Sequence, residues 1–176
     1  MSDRRTELLE LLDRSGASLF ALLTRLTLRQ DVAEELMQDL FLKLSGAKDQ
    51  GGIDCWYAYA RRTAINLAFD WRRRERIRQA CSLDESLDCV SPTSSPLGKL
   101  IESEELDQVL AAIDRLRGPS REAFVLRYIE QESYERIAEQ LGKTPHHVRA
   151  LCSRAMNTLR DGVVEDGKEV QHVEDE

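Results

Sequence analysis

The chain has 176 residues, a formal charge of −7, 41% apolar and 32% charged residues, and only 9 Gly and 4 Pro. That mixture suits amphipathic helices and excludes collagen-like repeats and wholesale disorder. No run approaches the roughly 20 apolar residues of a membrane span, and the opening MSDRRTELLELLDR lacks a signal-peptide core, so a cytoplasmic location without membrane insertion is expected.

In the first block Leu8, Leu9, Leu12, Leu19, Leu22, Leu23 and Leu26 recur near helical spacing, with Ser15-Gly16 read as a break between two helices. Asp31 is placed as an N-cap with Glu34 in capping-box position, opening a helix to about Ser45 with Ala33, Leu36, Met37, Leu40 and Leu44 as its core stripe. A loop follows, and Asp54 is placed as the cap of a long helix to about Arg78.

From Cys81 to about Ser103 the text turns rich in Ser, Pro and Asp, the composition of a flexible linker. Four more helices are expected beyond it, over about 103–116, 119–130, 133–141 and 145–160. The first of these presents Leu106, Val109, Leu110, Ile113 and Leu116 to a core, and Pro119 and Pro145 mark helix starts. The fold class is therefore all-α: two small helical domains, 1–80 and 104–162, joined by a linker over 81–103, with a disordered acidic tail over 163–176.

Charge is segregated along this layout. Residues 54–80 carry seven Arg against Asp54, Asp70 and Glu75, and residues 143–160 carry Lys143, Arg149, Arg154 and Arg160 without an acid. Residues 83–106 and 163–176 each sum to −5. Two basic islands in an acidic chain point to nucleic acid at those islands rather than over the whole surface. Cys55, Cys81, Cys89 and Cys152 form no CxxC pair and have no His at ligand spacing, so neither a metal site, a cofactor nor a disulfide framework is expected.

Ser133 to Arg160, SYERIAEQLGKTPHHVRALCSRAMNTLR, has helix-turn-helix spacing: Ile137, Ala138 and Leu141 face inward, Gly142 permits the turn, and Thr144-Pro145 starts the second helix. On that helix Val148, Cys152, Ala155 and Leu159 share one side. His146, His147, Arg149, Ser153 and Arg154 are left to reach phosphates and base edges in a major groove.

In Cys55 to Gln79 the face Trp56, Ala60, Thr63, Ala64, Leu67 and Trp71 is read as core. The neighbouring stripe of Tyr59, Arg62, Asn66, Phe69 and Arg73, continued by Arg74, interleaves rings, an amide and guanidinium groups suited to unstacked bases.

Asp31 to Leu44 and Trp56 to Arg74 together resemble region 2 of the extracytoplasmic-function sigma factors of the sigma-70 family, and residues 104–161 resemble their region 4. The resemblance implies that Glu34, Glu35, Gln38, Asp39 and Leu42 dock on core RNA polymerase. It also implies that Asn66 contacts a flipped base of the −10 promoter element, with Tyr59, Arg62, Phe69, Arg73 and Arg74 around the emerging strand. The helix from Pro145 would enter the −35 element with Arg149 and Arg154 at matching basic positions. Leu151 departs from the pattern, standing where members commonly carry Arg.

Implied partners are core RNA polymerase, promoter DNA and an anti-sigma protein, by which members of the family are often held inactive. The activity is binding, and no paired carboxylates, Ser/His/Asp arrangement or phosphate-cradling Gly loop supports an enzyme. The rival is a stand-alone helix-turn-helix regulator. It would have no use for the first block with its acidic docking helix.

Overall fold

The computed structural model describes residues 4–47, 55–82 and 97–169. Among them every regular element is helical. The chain divides into two compact units, Met1–Ser91 and Pro92–Glu176.

The first unit is a bundle of α1 (Arg4–Thr27), α2 (Gln30–Gly46) and α3 (Trp56–Ser82), each packed on the other two. Its core joins Leu19, Leu22, Leu23 and Leu26 of α1 to Leu36, Leu40 and Leu44 of α2 and to Ala60, Ala64, Ile65, Ala68 and Phe69 of α3. The three alanines let α3 approach its partners closely.

Helix α1 runs unbroken through Ser15-Gly16, where two helices were expected. A helix interior tolerates one glycine at a cost of about 1 kcal/mol, which tertiary packing offsets. The true end is at Thr27: its buried hydroxyl donates to the Leu23 carbonyl at 2.8 Å, and Leu28 takes the left-handed conformation, φ 59°, while its N–H donates to the Thr24 carbonyl at 2.8 Å. Arg72 of α3 adds a cation at this terminus, Nη1 donating to the Leu26 carbonyl at 3.3 Å, where the helix dipole favours positive charge.

Helix α2 begins one residue before the expected cap. Arg29 stands at the N-cap without a side-chain cap bond, and Asp31 lies in the first turn. Instead of capping, the Asp31 carboxylate accepts from Arg29 Nη2 at 2.5 Å and Nε at 3.2 Å, which holds it below the usual carboxylate range. Val32 joins the core, and Met37 is half-buried. Asp54 and residues 48–53 of the loop lie outside the described residues.

The second unit contains α4 (Leu97–Asp114), α5 (Gly118–Phe124), a π-helical segment (Val125–Ile129), α6 (Tyr134–Leu141) and α7 (Pro145–Glu169). Helix α7 is the hub, with α4, α5 and α6 packed on it. Its Val148, Leu151, Cys152 and Ala155 meet a core of Leu110, Ile113, Leu116, Ala123, Phe124, Leu126 and Ile137. Asp114 and Arg121, both largely buried, pair at 3.0 Å and tie the end of α4 to α5.

Three local features differ from the sequence reading. Helix α4 starts at Leu97, within the segment read as linker, and α3 continues to Ser82. Helix α7 extends to Glu169, into the segment read as tail; residues 83–96 and 170–176 lie outside the described residues. Leu106 and Val109, assigned to the core stripe of α4, are 51% and 53% exposed, in a run of exposed residues over 104–109 that precedes the buried Leu110. Finally, the expected single helix over 119–130 passes into π geometry, with Glu130 N–H donating to the Val125 carbonyl at 3.0 Å five residues back.

Gly142 adopts φ 60° at the turn between α6 and α7, and the Lys143 N–H closes the motif on the Ala138 carbonyl at 2.9 Å. Gly16 and Gly142 both have open space where a Cβ would sit, so their backbones decide the effect of substitution. Gly16→Ala should stabilise the first unit by about 0.5–1 kcal/mol and Gly142→Ala should destabilise the second by about 1 kcal/mol, as read by urea denaturation.

Candidate nucleic-acid interface

Helix α6, Gly142 and helix α7 form the helix-turn-helix. Each helix start is capped as its sequence suggests: the Ser133 hydroxyl accepts from Arg136 N–H at 3.2 Å, and the Thr144 hydroxyl accepts from His147 N–H at 3.2 Å. Pro145 opens α7 at a position that needs no N–H donor. With Val148, Leu151, Cys152 and Ala155 turned inward, His146, His147, Arg149, Ser153 and Arg154 are all exposed.

Leu151 thus lies on the packed side of α7, so the missing Arg at this position leaves a core residue rather than a hole in the exposed face. Cys152 donates through Sγ to the Ala123 carbonyl at 3.6 Å, and burial pushes its thiol pKa up, making it a packing residue rather than a nucleophile.

Arg149 Nη2 donates to Glu135 Oε1 at 3.3 Å, and its guanidinium lies 5.1 Å from the Tyr134 ring centroid. Arg154 folds back so that Nε donates to the Ala150 carbonyl at 3.3 Å. It also lines a recess of about 340 Å³ with Arg115, Arg117, Ser120 and Thr158, which extends the basic surface beyond α7. Arg115 and Arg117 were not singled out from the sequence. They belong to the turn between α4 and α5, and only folding brings them beside Arg154.

On α3 the buried face is Ala60, Arg61, Ala64, Ile65, Leu67, Ala68, Phe69 and Arg72, about a quarter turn from the face expected. Trp56, Thr63 and Trp71, assigned to the core, are only partly buried. Tyr59 is partly buried with its ring edge-on to Trp56 at 6.1 Å; Arg62, Asn66, Arg73 and Arg74 are exposed.

Phe69 is corrected: it is 0% exposed, and a ring sealed in the bundle cannot stack on a base. Two of the seven arginines of the basic island, Arg61 and Arg72, are buried as well, Arg61 lying 5.3 Å from the Tyr57 ring centroid. The sequence count therefore overstates the cations α3 offers to a ligand. Arg73 pairs with Asp70 at 3.5 Å, and Arg78 pairs with Glu75.

On α2 the residues Glu34, Glu35, Gln38, Asp39 and Leu42 are all exposed, and Leu42 is 66% accessible beside a partly exposed Phe41. Asp39, Leu42 and Lys43 face Asp70, Arg73, Arg74 and Ile77 across a groove of about 550 Å³ between α2 and α3. This groove joins the acidic-apolar face of α2 to the basic stripe of α3, a continuity that linear sequence does not display.

Among the described residues no cluster of three His, Cys, Asp or Glu could hold a metal ion. No helix among them is long and apolar enough to cross a membrane.

Residues 106–159 match the family described as sigma-70, region 4. The chain is 32% identical over 163 residues to the ECF RNA polymerase sigma factor SigE of Mycolicibacterium smegmatis, covering 91% of this chain and 63% of that protein. It is 28% identical to the RNA polymerase sigma factor YlaC of Bacillus subtilis, covering 84% of this chain and 86% of that protein. Several curated relatives are longer: the chain spans 34%, 63% and 52% of three of them. The fold is similar to a solved structure of CnrH in complex with the cytosolic domain of CnrY, with TM-score 0.51, 20% identity, and coverage of 94% of this chain and 92% of that one.

The helix-turn-helix of the second unit thus matches the sigma-70 region 4 family. Across most of its length the chain is similar to an extracytoplasmic-function sigma factor.

The revised face of α3 separates two neighbouring positions. Phe69→Ala should cost about 3–5 kcal/mol in the first unit, whereas Asn66→Ala, on the exposed stripe, should change stability by about 0.5 kcal/mol or less. Chemical denaturation of both variants checks the assignment.

Proposed function

We propose that the protein is a sigma subunit that binds core RNA polymerase in the cytoplasm and directs it to promoters, itself making and breaking no bond. The observation that carries this reading is the combination in one chain of an exposed helix-turn-helix face with a separate unit whose adjoining helices expose acidic-apolar and basic-amide surfaces. A regulator acting alone has no use for the second surface pair.

In this reading the first unit docks through Glu34, Glu35, Gln38, Asp39 and Leu42. Acidic residues around an exposed leucine suit a partner surface of basic and apolar character. The −10 strand then meets Tyr59, Arg62, Asn66, Arg73 and Arg74. Phe69, sealed in the core, takes no part in this contact.

Capture of unstacked bases by α3 shifts the duplex toward the open form in proportion to its preference for that form. The second unit reads −35 duplex through His146, His147, Arg149, Ser153 and Arg154 of α7. Residues 83–96 connect the two activities as a linker, and residues 170–176 form the acidic end of the chain. An anti-sigma protein would silence the subunit by covering the docking or reading faces.

The charge of −7 opposes free binding to DNA, so specificity should depend on the assembled enzyme. In vitro transcription with core polymerase on a genomic promoter library should yield defined start sites only when the protein is added, while the isolated protein binds the same duplexes weakly. Nanomolar, sequence-specific binding without polymerase would instead identify a stand-alone regulator.

Within the assembled enzyme, Asn66→Ala should reduce base discrimination by roughly 1–3 kcal/mol at one −10 position. Pre-melted templates should restore activity only in part. Transcription from promoters carrying each base at every −10 position, duplex and pre-opened, measures both effects.

A further inference from the structure

Arg149 is the fifth residue of α7 and is exposed on the face assigned to the major groove, yet its guanidinium is held from two directions. Nη2 donates to Glu135 Oε1 at 3.3 Å, and the group lies over the Tyr134 ring at 5.1 Å from the centroid. Both partners come from the first turn of α6, which Ser133 caps.

The same ring carries a second cation, Arg127, at 4.5 Å. Arg127 is itself fixed, because its Nη1 donates to the Glu132 carbonyl at 2.8 Å. A continuous set of contacts thus runs from the π-helical segment through Tyr134 to the reading helix.

An exposed ion pair of this kind adds little to fold stability. Its effect on recognition is larger in kind. An unheld arginine must surrender rotamer freedom before its planar fork can match a guanine edge, and it can equally swing onto a phosphate. Anchoring one nitrogen on a carboxylate and the plane over a ring removes part of that freedom before DNA arrives. The Glu135 carboxylate also repels the phosphate backbone, which disfavours every sequence alike.

We infer that Tyr134 and Glu135 are positioning residues that hold Arg149 for base reading and make its contact depend on sequence. The inference rests on the reading of α7 as the −35 helix.

The test uses the full-length protein and its Glu135→Ala, Tyr134→Leu and Arg149→Ala variants, each assembled with core RNA polymerase. Binding is measured over a salt series on promoters carrying every base at each −35 position, with far-UV circular dichroism to check folding. Arg149→Ala should abolish preference at one position. Glu135→Ala should weaken preference at that same position about three- to fivefold while raising affinity for all sequences about twofold at low salt. Tyr134→Leu should weaken the same preference without the general gain. A merely structural role for Glu135 predicts the opposite, a uniform loss of affinity with the preference profile intact.

If Arg149→Ala flattens the position while Glu135→Ala and Tyr134→Leu keep the wild-type profile, the positioning role is overturned and the reading of α7 stands. If Arg149→Ala leaves preference unchanged at every −35 position, the assignment of Arg149 to base reading fails, and the inference fails with it. Should Tyr134→Leu fail to fold, the exposed Glu135→Ala variant decides alone.

Discussion

The first unit depends on how α3 seats its small-residue face. Ala60, Ala64 and Ala68 are fully buried and let α3 lie close to its partner helices, with Ile65 and Phe69 filling the space beside them. That seating fixes the helix's rotation, and the rotation selects which polar groups remain outside. Arg72 is drawn in to the carbonyl end of α1, whereas Arg62, Asn66, Arg73 and Arg74 are turned out. Packing on one side of α3 therefore sets the chemistry of the other, because side chains on a rigid helix rotate together.

The second unit applies the same constraint to α7. Val148, Leu151, Cys152 and Ala155 form a narrow packed stripe, and the remaining surface presents imidazole, hydroxyl and guanidinium groups at fixed spacing. The left-handed Gly142 sets the turn into α7, and the Asp114–Arg121 pair secures the end of α4 against α5. The π-helical segment places Arg127 where it can reach the Tyr134 ring, so an irregular stretch of backbone contributes to the order of the exposed face. The match of residues 106–159 to sigma-70 region 4 accords with this arrangement, since a helix that reads a groove must be rigid before it can be selective.

Formal charge gives only a first approximation to what a ligand would meet. Of the seven arginines in residues 54–80, Arg61 and Arg72 are buried, and Arg73 and Arg78 have carboxylate neighbours on the same helix. On the second unit folding has the reverse effect, gathering Arg115 and Arg117 beside Arg154. The basic surface is thus thinner on α3 and broader around α7 than linear counts imply. The field a polyanion experiences follows these positions rather than the net charge of the chain.

Periodicity was sufficient for the all-helical class and for α2 with its exposed acidic face, though not for its cap, and turn and capping chemistry was sufficient for the Ser133, Gly142 and Thr144-Pro145 signals that delimit the helix-turn-helix. These are local properties, set by backbone preferences and hydrogen bonds within a few residues. The phase of α3 was not local. Trp56 and Trp71 made one face look like core, and Arg61 and Arg72 made the true one look solvated; yet Arg72 finds a partner distant in the chain, the Leu26 carbonyl of α1, and Arg61 is buried beside Tyr57 one turn back on α3 itself. Likewise Leu106 and Val109 have helical spacing but are exposed while the neighbouring Leu110 is buried, and Ser15-Gly16 has breaker composition but lies inside a continuous helix. Sequence by itself determined the all-helical class, the place of the helix-turn-helix and most of the residues that could serve a nucleic acid. Tertiary structure decided which of those residues face outward, because burial is settled by neighbours distant in the chain, and a helix with two plausible faces can bury only the one that packs.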